Sequence, residues 1–179
     1  MTPLRASIGV RIGLALLIVS VLGGVKSWRA DATPKGDAIG FGVGYWPPDF
    51  TAKDLAGHRQ TLQQYQGRVV VLHFWASWCP YCRGEIPKLK QVEQRWTPHD
   101  VSILAVSTDH DVDTLKQFID QQRLSYPVIA DAQADFSISE QYGISGIPVT
   151  YVIGKDGRIV SRLHGSSDIA GTVQTALAK

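Results

Sequence analysis

Val69-Val-Val-Leu-His-Phe-Trp-Ala-Ser-Trp-Cys-Pro-Tyr-Cys82 is the stretch on which the reading of this chain turns. A run of β-branched, aliphatic and aromatic residues, broken only by His73, stops at Trp75, and two cysteines follow with two residues between them. Such a run reads as a strand buried on both faces over residues 68–75, and residues 83–96 read as the helix it feeds. Pro80 then falls at the first helical position, where a missing N–H costs nothing, and Cys79 at the helix N-terminus. The unpaired N–H groups and the positive dipole end there favour a thiolate over a thiol. Cys79 is therefore the expected nucleophile, and Cys82, one turn further and less exposed, the expected resolving thiol.

Other uses of a C-x-x-C pair fit less well. A structural zinc site wants four ligands, and the chain has no further cysteines and no H-x-x-x-H spacing among His58, His73, His99, His110 and His164. A purely structural disulfide here would close too short a loop to constrain the unfolded chain much. Copper(I) held by two thiolates lacks a supporting thioether cluster, since Met1 is the only methionine. The expectation is a redox-active Cys79–Cys82 disulfide with no metal and no other cofactor.

At 179 residues the chain holds one domain plus an N-terminal appendage. A net charge of +2, with no long basic or acidic tail, points to no nucleic-acid partner. Residues 1–29 contain fourteen apolar residues from Ile12 to Val25, which as a helix rise only ~21 Å; counting from Ile8 to Trp28, with Arg11 and Lys26 snorkelling, gives spanning length. An uncleaved membrane anchor is favoured over a signal peptide cleaved at Ala30-Asp31-Ala32, because Lys26 and Arg29 sit badly in a cleavage region. Either way the rest is exported. Residues 30–45, rich in Gly and small polar residues, read as a flexible linker, and 46–179 as the folded domain.

Within that domain two short strands are expected at 50–54 and 58–61, a helical turn at 62–66, and a second buried strand at 101–107. Asp109-His-Asp-Val-Asp113 reads as an N-cap and first-turn acids for a helix over 112–122 rather than as a metal cluster. An extended piece at 127–131, a helix at 134–142, a strand opening on Pro148, a hairpin turn at Gly154-Lys-Asp-Gly157, a returning strand at 158–163 and a helix at 167–178 complete the chain. This order gives an α/β sandwich around a mixed sheet.

Several separated motifs resemble one family. Phe74-Trp-Ala-Ser-Trp-Cys-Pro-Tyr-Cys82, Pro87 within the following helix, and Tyr142-Gly-Ile-Ser-Gly-Ile-Pro148 are similar to the active site, helix kink and cis-proline loop of the thioredoxin fold. The stretch 124–142, with Pro48-Asp-Phe50 and Leu62-Gln-Gln-Tyr65, resembles the central insert and N-terminal β-hairpin extension of the membrane-tethered TlpA/ResA/CcmG group of bacterial thiol–disulfide oxidoreductases. The resemblance covers residues 47–179. It implies a cis Pro148 beside the disulfide, backbone hydrogen bonds from Ile147 to a bound substrate strand, and Trp75 and Trp78 packed near the site. It also implies that Glu85 tunes the cysteines, against the plainer reading of a solvated helix glutamate.

Two features depart from thioredoxin. His73 stands where thioredoxins bury an acid; it is read either as a proton relay to Cys82, with a pKa near working pH, or as a satisfied core histidine. Pro80-Tyr81 replaces Gly-Pro between the cysteines, closer to glutaredoxins and ScsD-like copper-tolerance relatives, and bears on the reduction potential. The implied activity is reduction of disulfides in exported proteins on the outer side of a bacterial inner membrane, with apocytochrome c or copper-stressed thiol proteins as substrates. A membrane electron donor of the DsbD or CcdA type would reset the dithiol. A DsbA-like oxidant and a copper(I)-binding module are the alternatives. A peroxidase is disfavoured because Ala76 stands where a peroxidatic motif needs Thr or Ser.

Overall fold

The computed structural model describes residues 39–165 and 168–179. All belong to one unit spanning 34–179; the expected anchor, residues 1–29, lies outside the described residues. Among the described residues no helix is long and apolar enough to cross a membrane.

The centre is β3 (Val69–Trp75), every residue of which is buried. It pairs in parallel with β4 (Val101–Ser107) and antiparallel with β6 (Val149–Ile153). Outside these lie β5 (Val128–Ala130), parallel to β4, and β7 (Ile159–His164), antiparallel to β6. The order β5-β4-β3-β6-β7 makes a five-stranded mixed sheet. A small antiparallel hairpin, β1 (Ala52–Lys53) and β2 (Arg59–Gln60), precedes it.

The period of two along β3 divides the core. Val69, Val71 and Trp75 face α1 (Pro80–Trp96), α2 (Val112–Gln122) and α4 (Ile169–Leu177), which supply Ile86, Leu89, Val92, Leu115, Phe118, Ile169 and Val173. Val70, Leu72 and Phe74 point the other way, onto Phe50, Ile138, Tyr142 and Tyr151. Both faces are covered, which is why β3 reads as a continuous apolar run instead of an alternating one. The α/β sandwich with an N-terminal hairpin extension is the arrangement observed.

Two expectations are corrected. The helix expected over 134–142 is only α3 (Ile138–Gln141), preceded by a 3-10 turn at Asp131–Gln133. Asp131 reaches across the loop to accept the N–H of Ile138 at 2.6 Å, and Ser137 caps the N–H of Glu140 at 3.1 Å, so the helix starts late. The linker expected to run to residue 45 also overlaps ordered structure. The N–H of Gly44 bonds the carbonyl of Ile159 at 2.8 Å, and the N–H of Ile159 bonds the carbonyl of Tyr45 at 2.8 Å, so this segment covers the start of the β7 edge. Trp46 packs against Gly157, where a Cβ would stand 2.4 Å from the ring and φ is +83°; only glycine satisfies both conditions.

Candidate active site

β3 delivers its chain to the sheet's C-terminal edge, and the loop 76–78 turns it into α1. Cys79 is the N-cap of α1, in extended conformation, with Pro80 in the first turn as the sequence implies. The N–H of Cys82 donates to Sγ of Cys79 at 3.2 Å, so a helix-terminal amide points at that sulfur. Cys79 and Cys82 are joined by a disulfide with Cα atoms 5.2 Å apart. Cys79 keeps 4 % of its surface exposed and Cys82 none, so an incoming partner meets only the first sulfur.

The loop before β6 completes the surface. The Ile147–Pro148 peptide is cis, and the carbonyl oxygen of Ile147 lies 4.0 Å from Sγ of Cys79. Trp78 and Tyr81, 63 % and 74 % exposed, form an aromatic rim around the disulfide. Trp75, by contrast, is in the core with its ring 5.8 Å from that of Phe118.

A second group sits behind this surface. His73 on β3 and Glu85 on α1 are both buried, each at 1 % exposure, with Nδ1 of His73 3.8 Å from Oε2 of Glu85 and 2.8 Å from the Thr150 hydroxyl. Glu85 is thus not a solvated helix residue. The pKa expected for His73, near working pH, is also corrected: burial pushes it down to about 3, and the ring is neutral at physiological pH. Its Nε2 has no hydrogen-bond partner.

The structure adds a residue that sequence reasoning placed elsewhere. Asp111 is the N-cap of α2 as expected, accepting from the N–H groups of Asp113 and Thr114. Asp109, only two residues earlier, is buried and turned inward. Its carboxylate accepts from Ser77 N–H at 2.8 Å, Ser77 Oγ at 2.6 Å and Ser107 Oγ at 2.6 Å. One peptide further on, Nε of Arg83 donates to the Ser77 carbonyl at 2.5 Å. Ser77 is therefore clamped two residues before Cys79. The hint in the sequence was a serine just past the end of one strand and another at the end of its neighbour, with an acid within reach of both. Asp109→Ala strands three buried donors, and is expected to lower stability by about 3 kcal/mol or more, read from thermal unfolding of the oxidised protein. Asp109→Asn, which keeps one acceptor, should recover part of that loss.

Among the described residues no group of three or more His, Cys, Asp or Glu side chains is placed to hold a metal ion. What the geometry offers is one accessible sulfur at a helix N-terminus, a buried partner sulfur, and a backbone carbonyl beside them. The AhpC/TSA family pattern matches residues 43–162, from the segment before Trp46 through most of β7. The chain belongs to the AhpC/TSA family. It is 30% identical over 123 residues to the thiol-disulfide oxidoreductase ResA of Bacillus thuringiensis subsp. konkukian, covering 69% of this chain and 70% of the relative. It is 28% identical over 154 residues to the thioredoxin-like protein YneN of Bacillus subtilis, covering 84% and 88%. The solved thioredoxin domain of a thiol-disulfide oxidoreductase from Bacteroides vulgatus superimposes with a TM-score of 0.68 at 26% identity, covering 76% of this chain and 98% of that one. This AhpC/TSA member is a thiol–disulfide oxidoreductase of the ResA type with a thioredoxin-like fold, as the motifs around Cys79 and Pro148 imply.

Proposed function

We propose that the protein reduces disulfides in other exported proteins through the Cys79–Cys82 dithiol, held at a bacterial inner membrane by residues 1–29 with the catalytic domain facing outward. The observation that carries the reading is the asymmetry of the pair: Cys79 reaches the surface at a helix N-terminus, and Cys82 is sealed beneath it. In the reduced protein the Cys79 thiolate attacks one sulfur of a substrate disulfide. A Cys79–substrate disulfide forms, the substrate S–S bond breaks, and one substrate thiolate leaves and takes up a proton. Cys82, deprotonated, then attacks the Cys79 sulfur, forms the Cys79–Cys82 bond and releases the second substrate thiol. Two electrons pass from the dithiol to the substrate. The carbonyl of Ile147 lies where it can accept a backbone N–H from the substrate segment next to its reactive sulfur.

A membrane electron donor of the DsbD or CcdA type restores the dithiol in this reading, and apocytochrome c or thiol proteins damaged by copper stress are its substrate classes. The test is the reduction potential of the full chain, equilibrated against glutathione. A value near or below about −220 mV is expected of a reductase; a value near about −120 mV means a DsbA-like oxidant and overturns the proposal. Stoichiometric copper(I) binding without insulin reduction would move the protein to the metal-binding alternative.

A further inference from the structure

Beyond Pro148 a groove of about 360 Å³ opens between Tyr81 on one side and the ends of β6 and β7 on the other. We propose that this groove selects substrate segments carrying carboxylate side chains next to the reactive cysteine, with Arg162 as the residue that sets the preference. The proposal rests on the thiol–disulfide reading above and adds to it the chemical class of the substrate.

The register of the hairpin sets the geometry. His164 pairs with Val149 and Arg162 with Tyr151, so the two basic residues lie on one face of β7, in line with the groove. Both line it, and none of its lining residues is acidic. Arg162 is half-buried, and its guanidinium carbon lies 5.4 Å from the centre of the Tyr151 ring, which holds the side chain in place. Its Nε is buried without a hydrogen-bond partner, and among the described residues it has no carboxylate partner. Arg68 also has a buried Nε without a partner but donates through Nη2 to the carbonyl of Val101 at 3.4 Å, and two further arginines are partnered as well. Arg83 donates to the Ser77 carbonyl, and Arg158 donates to the carbonyl of Gly44 at 2.7 Å. A cation taken partly out of water and matched only by a ring face is incompletely compensated, and a carboxylate supplies what is missing, in a paired geometry that guanidinium favours.

The groove is continuous with the reactive sulfur, because Ile147, which touches Cys79, also lines it. Val149 and Tyr151 stand two and four residues beyond Ile147, so at a rise of about 3.3 Å per residue an extended segment passes His164 and then Arg162 two and four residues from its cysteine. Those positions share one face of an extended strand, so acids there point into the groove together. The partner is thus an extended, acidic protein segment.

The test uses the full-length protein and disulfide-linked peptides identical except for Glu or Gln two and four residues from the cysteine on both sides. The reduced protein is expected to turn over the Glu peptide about tenfold faster than the Gln peptide at low salt, less at high salt. In Arg162→Gln the Glu-to-Gln ratio should fall to near one. In Arg162→Lys it should be intermediate, and in Arg162→Glu the preference should pass to a peptide with Lys at the same positions. A wild-type ratio near one, or a ratio that survives in Arg162→Gln, overturns the proposal. Equilibrium binding of Cys-to-Ser peptides to the oxidised protein separates the two readings. If neither disulfide peptide is reduced but the Glu version still binds more tightly through Arg162, the groove assignment stands and the reductase reading falls. If binding shows no preference either, the groove assignment falls with it.

Discussion

Cys79→Ser is expected to lower disulfide reduction by more than about a thousandfold, to the rate of the uncatalysed reaction with the reductant present. The size of the loss follows from access. With Cys79 gone the remaining sulfur belongs to Cys82, which has no exposed surface, so a protein disulfide cannot approach it along the line that exchange requires. Cys82→Ser should fail differently. The first attack needs only the sulfur at the N-cap of α1, which keeps its helix-terminal environment. That variant is expected to react once and halt as a Cys79–substrate mixed disulfide, seen as a stoichiometric mass increase removed by dithiothreitol. Insulin reduction measures the first effect and non-reducing mass spectrometry the second. If Cys79→Ser were the variant that trapped substrate and Cys82→Ser the inert one, the assignment of nucleophile and resolving thiol would be reversed.

The parts of this site legible in the sequence are those governed by local chemistry. A seven-residue strand buried on both faces is apolar at almost every position, here at all but His73, and a helix that begins at Cys-Pro announces its own N-terminus, so β3, Cys79 and Pro80 are legible directly. Pro148 was reached through the family resemblance and is cis in the structure. What could not be read depends on distant partners. Asp109 and Asp111 look alike in the sequence, two acids before a helix, and Asp111 does cap α2. Asp109 is separated from it by Ser77, which lies 32 residues earlier and comes near only because β3 and β4 are paired in register. The same applies to α3, delayed by a carboxylate at Asp131 seven residues before the helix, and to the edge of β7, covered by the backbone of Gly44 and Tyr45 in a stretch whose composition suggested only a tether. Glycine-rich composition reports the freedom of a free chain and is silent about an edge strand waiting for two hydrogen bonds.

His73 gives a dependence of stability on pH whose sign is fixed by burial. In the unfolded chain its imidazole titrates near 6.5; in the fold, burial holds it at about 3. Between those values the unfolded chain takes up a proton that the folded protein refuses. The contribution is therefore unaffected above about pH 6.5, and stability falls as the pH drops from there towards 3, at up to about 1.4 kcal/mol per pH unit. Over that whole range the loss amounts to several kcal/mol, a large share of a typical domain's stability, so a marked loss of stability on acidification is the expected outcome. His73→Gln keeps a group able to bond the Thr150 hydroxyl but nothing that titrates in this range. Its stability should fall much less between pH 7 and pH 4, measured by denaturant unfolding of both oxidised proteins. Glu85, 3.8 Å from His73, is present in both, so the comparison reads the His73–Glu85 pair rather than His73 alone. Parallel curves for the two proteins would mean that the fold already holds a proton on the His73–Glu85 pair at neutral pH. The ring would then be a cation matched to a buried carboxylate rather than a neutral group sealed in the core, and able to serve as the proton relay to Cys82.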